Sequence, residues 1–282
     1  MDTTKLTAAL ETLPDSYKEK ATTLIERMGT VVEGVGDGGI EWRAPFLRLV
    51  QGTTDRSTIP RGTAIGDFVI GENRVERPLS FIPLRLWEAR QYWNPDQTKN
   101  NTLCFSLDSK VGQYGDVCKT CPYSQWVEGE GAACGKTINI YGIASDLSEL
   151  FTVTFAKSSY SAGMELTSYL KRAGVDPYRR QYNLTALTST KAKNIEVLKV
   201  DLLTDEKLRR TPEGVLPFLK ALFDIISADR KTGVEAFYLE VDRKKSSGLA
   251  LPKPVVADSP LLETSVPSDP GAVSTMAKNF VV

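Results

Sequence analysis

The four cysteines of this chain all lie between residues 104 and 134, at Cys104, Cys118, Cys121 and Cys134. Cys118-Lys-Thr-Cys121 is a tight pair that can direct two thiolates to one ion, and the two flanking cysteines complete a tetrahedral set. A metal with four protein ligands has no open position for water or substrate. We therefore predict one structural Zn²⁺ per chain, which orders loop 104–134 and does no chemistry.

The zinc prediction rests on a reducing compartment. The chain starts Met1-Asp-Thr-Thr-Lys, without a secretion signal, and no stretch reaches the roughly eighteen apolar residues of a membrane span. We therefore expect a cytoplasmic protein without membrane contact, in which thiols stay reduced and disulfides are disfavoured. An iron–sulfur cluster and four buried free cysteines remain as alternatives, although iron–sulfur cysteine runs are usually more compact.

Composition narrows the range of functions. The chain has no histidine, which excludes Ser-His triads and histidine-bearing zinc active sites. Catalysis by carboxylates or lysine stays open, but nothing in the sequence singles it out, and we do not predict an enzyme. Thirty-five basic residues balance thirty-five acidic ones, so any surface that binds nucleic acid must be local.

The order of predicted elements indicates the fold class. Apolar periodicity predicts two short helices within residues 2–28 and a strand over 40–50, separated by a glycine-rich linker at 34–39. From residue 79 the predicted order is strand, cysteine insert, strand, strand, helix, strand, strand. The strands cover 79–93, 137–144, 151–157, 181–188 and 195–203, and the helix covers 163–173. This is the order of a five-stranded OB-fold barrel, and another mostly antiparallel α+β domain is the alternative.

The domain prediction follows from these elements. Residues 1–78 hold the N-terminal helices and a leading strand. Residues 79–243 hold the OB-like core with the zinc loop, a C-terminal helix over 211–227 and a further strand over 234–241. The composition of residues 244–282, rich in Ser, Gly and Pro, predicts a disordered tail.

Aromatic and basic residues interleave on the predicted strands. Strand alternation places Ile82, Leu84 and Leu86 on one face and Phe81, Arg85 and Trp87 on the other. Stacking aromatic rings and cations that neutralise phosphates are what single-stranded nucleic acids require. Trp87 is the strongest candidate and Trp93 the next. The predicted binding residues are Arg85, Trp87, Arg90, Trp93, Tyr141, Phe155, Lys157, Tyr160, Lys171, Arg172, Arg179, Arg180, Lys191 and Lys193.

Several of these motifs resemble a known family. The segment C-x-S-x-D from Cys104, the C-x2-C-P from Cys118 followed by Trp126, Cys134, and the helix SYSAGMELTSYL resemble single-stranded DNA-binding proteins of bacteriophages. In that family an OB-fold carries a zinc-binding insert. The resemblance implies a replication or recombination accessory protein that coats exposed DNA strands in the host cytoplasm. It also implies that the C-terminal tail recruits replication or recombination proteins, although this tail lacks an acidic run.

Two other functions compete with this interpretation. A virion or scaffold component would use the zinc loop and the tail for protein contacts, which suits a neutral net charge. A carboxylate-dependent nuclease would need converging acidic residues, for which Asp108, Asp116, Asp146 and Glu149 are candidates. The sequence does not distinguish RNA from DNA, and it gives neither the site size nor the oligomeric state.

Overall fold

The computed structural model describes residues 4–29, 44–75, 77–93, 102–126, 132–189, 196–203, 205 and 209–246. These ranges form an α+β structure with mostly antiparallel sheets, which confirms the predicted class. The helices are α1 (Thr4–Glu11), α2 (Asp15–Gly29), α3 (Tyr160–Ala173) and α4 (Leu216–Ser246). The strands are β1 (Leu47–Leu49), β2 (Phe68–Ile70), β3 (Asn73–Val75), β4 (Leu79–Trp93), β5 (Thr102–Ser106), β6 (Cys134–Ala144), β7 (Leu150–Ala156), β8 (Tyr182–Thr188) and β9 (Glu196–Leu202).

The larger sheet is organised around the long strand β4. Its strands follow the order β7-β6-β4-β8-β9, and β5 also pairs with β4. β6 lies along nearly the whole of β4, whereas β8 pairs with the start of β4 and β5 with its end. β1, β2 and β3 form a separate small antiparallel sheet. Sequence periodicity predicted the five long strands but not β2, β3 or β5, which are too short to show a pattern.

The described strands do not close into a barrel, because β7 and β9 are the two ends of the path and share no ladder. The segment from Pro45 to Gln51 lies across this gap. The amide of Thr152 in β7 donates to the carbonyl of Pro45 at 2.8 Å. The Gln51 side chain donates to the carbonyl of Glu196 in β9 at 2.9 Å and accepts from its amide at 2.7 Å. The gap is therefore spanned by a segment that comes before both strands in the chain.

A β-bulge in β4 changes which residues face which side. Pro83 pairs with Gly142 and Arg85 with Tyr141, so Leu84 is an extra residue without a partner in the ladder. Such an insertion shifts the alternation by one position. Before the bulge Ile82 faces one apolar core, and after it Leu86 packs against the other.

The predicted faces of this strand were therefore wrong. Phe81 and Leu86 lie on the side of the core formed with α3, while Ile82 and Leu84 lie on the side of the helical core. Trp87, which was expected opposite Ile82 and Leu84, lies on their side, because it contacts Tyr141 and α4 there. One extra residue thus reverses the prediction for the second half of the strand.

Two apolar cores lie on the two sides of β4. The first joins α1, α2 and α4 to Ile82 and Leu84, and the second joins α3 to the inner residues of the sheet. In the second core Gly163 lets α3 approach closely, since a Cβ there would lie 2.9 Å from the Cβ of Phe155. At its other end α3 stops at Gly174, which has φ 62°, as the sequence predicted. The N-terminal helices share a core with α4 and do not form a domain of their own.

The region after residue 210 differs from its prediction. The helix continues to Ser246, so the predicted strand at 234–241 and the predicted helix end near 227 are wrong. Val234, Phe237 and Val241 are spaced by three and four residues, and the latter two are buried on one helix face. The β-branched and aromatic residues of this segment suggested a strand, but its apolar residues have helical spacing, and the segment is a helix. Of the predicted tail, residues 247–282 lie outside the described ranges, as do residues 34–39 of the predicted linker.

No helix within the described ranges combines the length and apolar character needed to cross a membrane.

Candidate nucleic-acid interface

The aromatic and basic face of β4 is covered by α4. The ring of Trp87 lies 4.9 Å from that of Tyr141, and the guanidinium of Arg230 lies over the Trp87 ring, 4.9 Å from its centre. Trp87, Arg85 and Tyr141 are each only partly exposed. These three predicted binding residues are therefore brought together, but beneath a helix and not on an open surface.

Other predicted residues lie apart from this face. Phe155 is fully buried and so cannot stack with a base, and Tyr160 is partly buried against the same core. Arg90 donates to the carbonyl of Cys134 at 3.3 Å. Lys157 and Trp93 are exposed, the latter at the end of β4.

A groove at the end of α3 joins two of the predicted arginines. It is a cavity of about 260 Å³ lined by Arg172 and Arg180 together with Arg209. Its aromatic side is formed by Tyr169 and Tyr182, whose rings stack at 6.3 Å with an angle of 8°. The lining is completed by Ala173, Gln181 and Leu202. We call this cavity the arginine groove.

The charges of the arginine groove are of one sign. None of the described residues that line it carries a carboxylate, whereas it contains three guanidinium groups. The guanidinium of Arg172 lies 5.1 Å from the ring centre of Tyr169, which keeps that cation beside the aromatic surface. A second cavity, of about 300 Å³ near the cysteines, has Glu88 among its lining residues, 3.1 Å from Lys136. The arginine groove is thus the better site for an anion.

Of the remaining predicted basic residues, those that the structure describes do not line the groove. Lys171 and Arg179 are exposed beside the groove, and Arg179 forms an ion pair with Asp176 at 3.6 Å. Lys191 and Lys193, in the turn between β8 and β9, lie outside the described residues.

The four cysteines come together at the end of β4. Tyr92 pairs with Cys104 of β5 on one side and with Cys134 of β6 on the other. The amide of Cys118 donates to the carbonyl of Lys110 at 2.8 Å, and that of Cys121 to the carbonyl of Val117 at 3.0 Å. The tight pair is therefore held by a turn.

The thiols are neighbours but do not converge as a metal site does. Burial raises the pKa of Cys104 to about 11, and charge repulsion from the three other cysteines contributes to this increase. Burial also raises the pKa of Cys118 and of Cys134. Yet no group of three or more Cys, Asp or Glu side chains among the described residues has the arrangement of a metal site. Charge interactions extend well beyond the zinc–sulfur distance of about 2.3 Å. The cysteines can therefore affect one another's pKa without lying close enough together to bind one ion.

Helix α4 is attached to the cysteine segment as well as to β4. The rings of Phe237 and Phe105 lie 5.5 Å apart, and the hydroxyl of Tyr238 donates to the carboxylate of Asp108 at 2.7 Å. Arg230 also donates to the carbonyl of Leu107. The helix that covers Trp87 therefore also contacts the segment that contains the cysteines.

The candidate carboxylates of a nuclease do not meet. Asp146 pairs with Lys20 at 2.5 Å, and Glu149 pairs with Arg27 at 3.0 Å. Asp108 instead accepts a hydrogen bond from Tyr238. In the part of the chain that the structure describes, the acidic residues thus hold elements together at different places.

Tyr169, Arg209 and Arg230 belong to these sites but were not predicted from the sequence. Tyr169 lies three positions before Arg172 on α3, and helical spacing could have placed the two together. Arg209 reaches the arginine groove from a distant part of the chain, and Arg230 belongs to a helix whose extent was not predicted. For these last two the sequence contains no usable signal.

None of the family models, curated proteins and solved structures with which the chain was compared matches it.

Proposed function

We propose that this protein binds single-stranded DNA without strong sequence preference, as a replication or recombination accessory protein of a phage. The arginine groove is the observation on which the proposal rests. Three guanidinium groups can neutralise the phosphates of a strand, and the Tyr169 ring beside them offers a stacking surface for a base. Both interactions are indifferent to base identity, hence the lack of sequence preference.

The strand order supports the proposal. If β4 is taken as the first strand of an OB-fold, then β6, β7, β8 and β9 are the second to fifth, and the order β7-β6-β4-β8-β9 places the first strand between the second and the fourth. Helix α3 falls between the third and the fourth strand, as in that fold. We propose that the domain is an OB-fold in which the segment Pro45–Gln51 bridges the third and fifth strands.

The metal proposal is that Cys104, Cys118, Cys121 and Cys134 hold one structural Zn²⁺. Four thiols that influence one another's charge are a suitable donor set for zinc. Binding would draw the sulfur atoms together and release their protons. Zinc would fix the geometry of the segment against which α4 packs, and it has no step in DNA binding.

Anisotropy of a labelled oligo(dT) at low salt tests the proposed function. We expect binding at micromolar protein or below, and affinity that falls with salt. Arg180→Met should make the dependence of log K on log salt shallower by about 0.7, since one phosphate contact is lost for a single strand. Arg172→Met should act likewise.

Arg243→Met is the matched control, because Arg243 is exposed on α4 and away from the groove residues. It should leave both affinity and salt slope unchanged. Absence of oligo(dT) binding at micromolar protein would contradict the proposal. Equal slopes for Arg180→Met and Arg243→Met would show that the groove is not the site.

One observation favours the alternative of a virion or scaffold component. Trp126 and Val117, both in the cysteine segment, are 78% and 54% exposed, which is high for apolar side chains. A protein that binds no oligo(dT) but assembles through these residues would fit that alternative. Recruitment of replication or recombination proteins through residues 244–282 remains a separate proposal.

A further inference from the structure

Two arginines from different elements are neighbours of the aromatic pair Trp87–Tyr141. Arg85 lies opposite Tyr141 in the ladder between β4 and β6. Arg230 approaches from α4, with its guanidinium 4.9 Å from the ring centre of Trp87. We call Arg85, Trp87, Tyr141 and Arg230 the covered cluster.

The covered cluster holds positive charge in a partly buried place. The Nε atom of Arg85 is buried and has no hydrogen-bond partner among the described residues. Burial lowers the pKa of Arg230, and the positive charge of Arg85 lowers it further, although the charges of Tyr141 and two aspartates oppose this. A buried donor without an acceptor and two neighbouring cations both cost free energy. An anion between them would satisfy the donor and offset the repulsion.

We propose that Arg85 and Arg230 bind an oxyanion of the phosphate class between them, at the edge of the Trp87 ring. A planar guanidinium matches the oxygens of a phosphate group in a paired hydrogen-bond geometry. Trp87 and Tyr141 form the apolar wall of the site and hold the two cations in place. This site lies on the opposite side of β4 from the core that α3 and Tyr182 share, so it is separate from the arginine groove.

Such an anion has two sources, a phosphate of a bound DNA strand or free inorganic phosphate. Both present the same oxygens to the guanidinium groups. The proposal is the site itself, and competition between the two ligands assigns the source.

Calorimetry with inorganic phosphate tests the site. The reference protein is the full chain with Arg172→Met and Arg180→Met, so that the arginine groove contributes little. We expect one phosphate per chain, and an affinity reduced at least tenfold by Arg85→Met and by Arg230→Gln. Arg243→Met, on the exposed side of α4, should bind phosphate as the reference does.

The proposal is overturned if the reference protein binds no phosphate, or if Arg85→Met and Arg230→Gln bind it as tightly as the reference. If Arg85→Met does not fold, Arg230→Gln alone decides, because it leaves the buried strand position unchanged. In the wild-type chain, displacement of phosphate by oligo(dT) would assign the site to a strand phosphate, and retention to free phosphate. Since the reference lacks two groove arginines, failure here leaves the proposed DNA-binding function untouched.

Discussion

The covered cluster and the arginine groove are built from the same kinds of side chain but differ in access. In the cluster, the Trp87 ring contacts the Tyr141 ring and the guanidinium of Arg230 from α4. In the groove, Arg172 and Arg180 line a cavity of about 260 Å³. Aromatic and basic residues side by side therefore indicate a surface for a nucleic-acid strand only when the rest of the chain leaves that surface open; beneath α4 the proposed ligand is a single phosphate group. The residue pattern of a strand shows which side chains share a face, and tertiary packing determines which ligands can reach that face.

The largest expected effect is that of zinc removal, which would uncover the cluster and spare the groove. We expect about one zinc per chain, and structural zinc sites contribute apparent binding free energies on the order of 10–16 kcal/mol. After chelation, amides of residues 102–126 and 230–246 should exchange hydrogen faster, while those of β8 and β9 should keep their protection. Metal analysis that finds no zinc under reducing conditions without chelator would contradict the proposal.

Trp87→Ala separates a packing role from a binding role. Because the ring is partly buried and contacts Tyr141 and Arg230, we expect the free energy of unfolding to fall by about 2 kcal/mol, below the full cost for a buried tryptophan. Urea denaturation measures it. Trp126→Ala is the control, since that side chain is 78% exposed and its loss should cost less than about 0.5 kcal/mol. If Trp87→Ala left stability unchanged but weakened DNA binding, Trp87 would be a stacking residue, as the sequence predicted.

Tyr169→Leu tests the aromatic side of the groove. Loss of a stacking ring should weaken oligo(dT) binding by about 1–3 kcal/mol and leave the salt slope unchanged, because stacking releases no counterions. Titrations at three salt concentrations distinguish this from the arginine variants. A changed slope with little loss of affinity would mean that Tyr169 acts by positioning Arg172 and not by stacking.

The smallest effect concerns the attachment of α4 to the cysteine segment. Burial tends to raise the pKa of Asp108, but hydrogen bonds from Tyr238 and from the backbone lower it below its ordinary value. A lowered folded pKa means that this contribution to stability is present above the unfolded value of about 3.9 and is lost as pH falls through the folded value. Tyr238→Phe should therefore cost about 1 kcal/mol at pH 6 and progressively less below pH 4. An equal cost at pH 6 and pH 3 would exclude this coupling.

Sequence periodicity was sufficient for several long elements but not for α4, whose second half was predicted to be a strand. β4, α3 and the β8–β9 hairpin follow from apolar spacing, and Gly174 marks the end of α3. The bulge at Leu84 could not be predicted, because an extra residue in a ladder is a property of the pairing and not of one strand. Because this bulge was not predicted, Trp87 was assigned to the wrong face of β4.

The candidate sites show the same division. Arg172 and Arg180 were identified from a local cluster of basic residues, which the end of α3 and the start of β8 bring together. Arg209 joins them from beyond β9, and Arg230 covers Trp87 from α4. Contacts between such distant positions depend on topology, which a single sequence does not reveal. The four cysteines were recognised by spacing alone, and their metal remains a prediction.

The segment Pro45–Gln51 has a consequence for how the chain folds. Gln51 and Glu196 are separated by 145 residues, yet they exchange two hydrogen bonds across the gap between β7 and β9. Helix α1 likewise shares its core with α4, at the far end of the described chain. Contacts of such long range slow folding, because a large loop must close before they form. During synthesis, the gap cannot be spanned until Glu196 has left the ribosome, and the helical core cannot be completed until residues 216–226 have followed. Until then the apolar face of α1 stays without its partner.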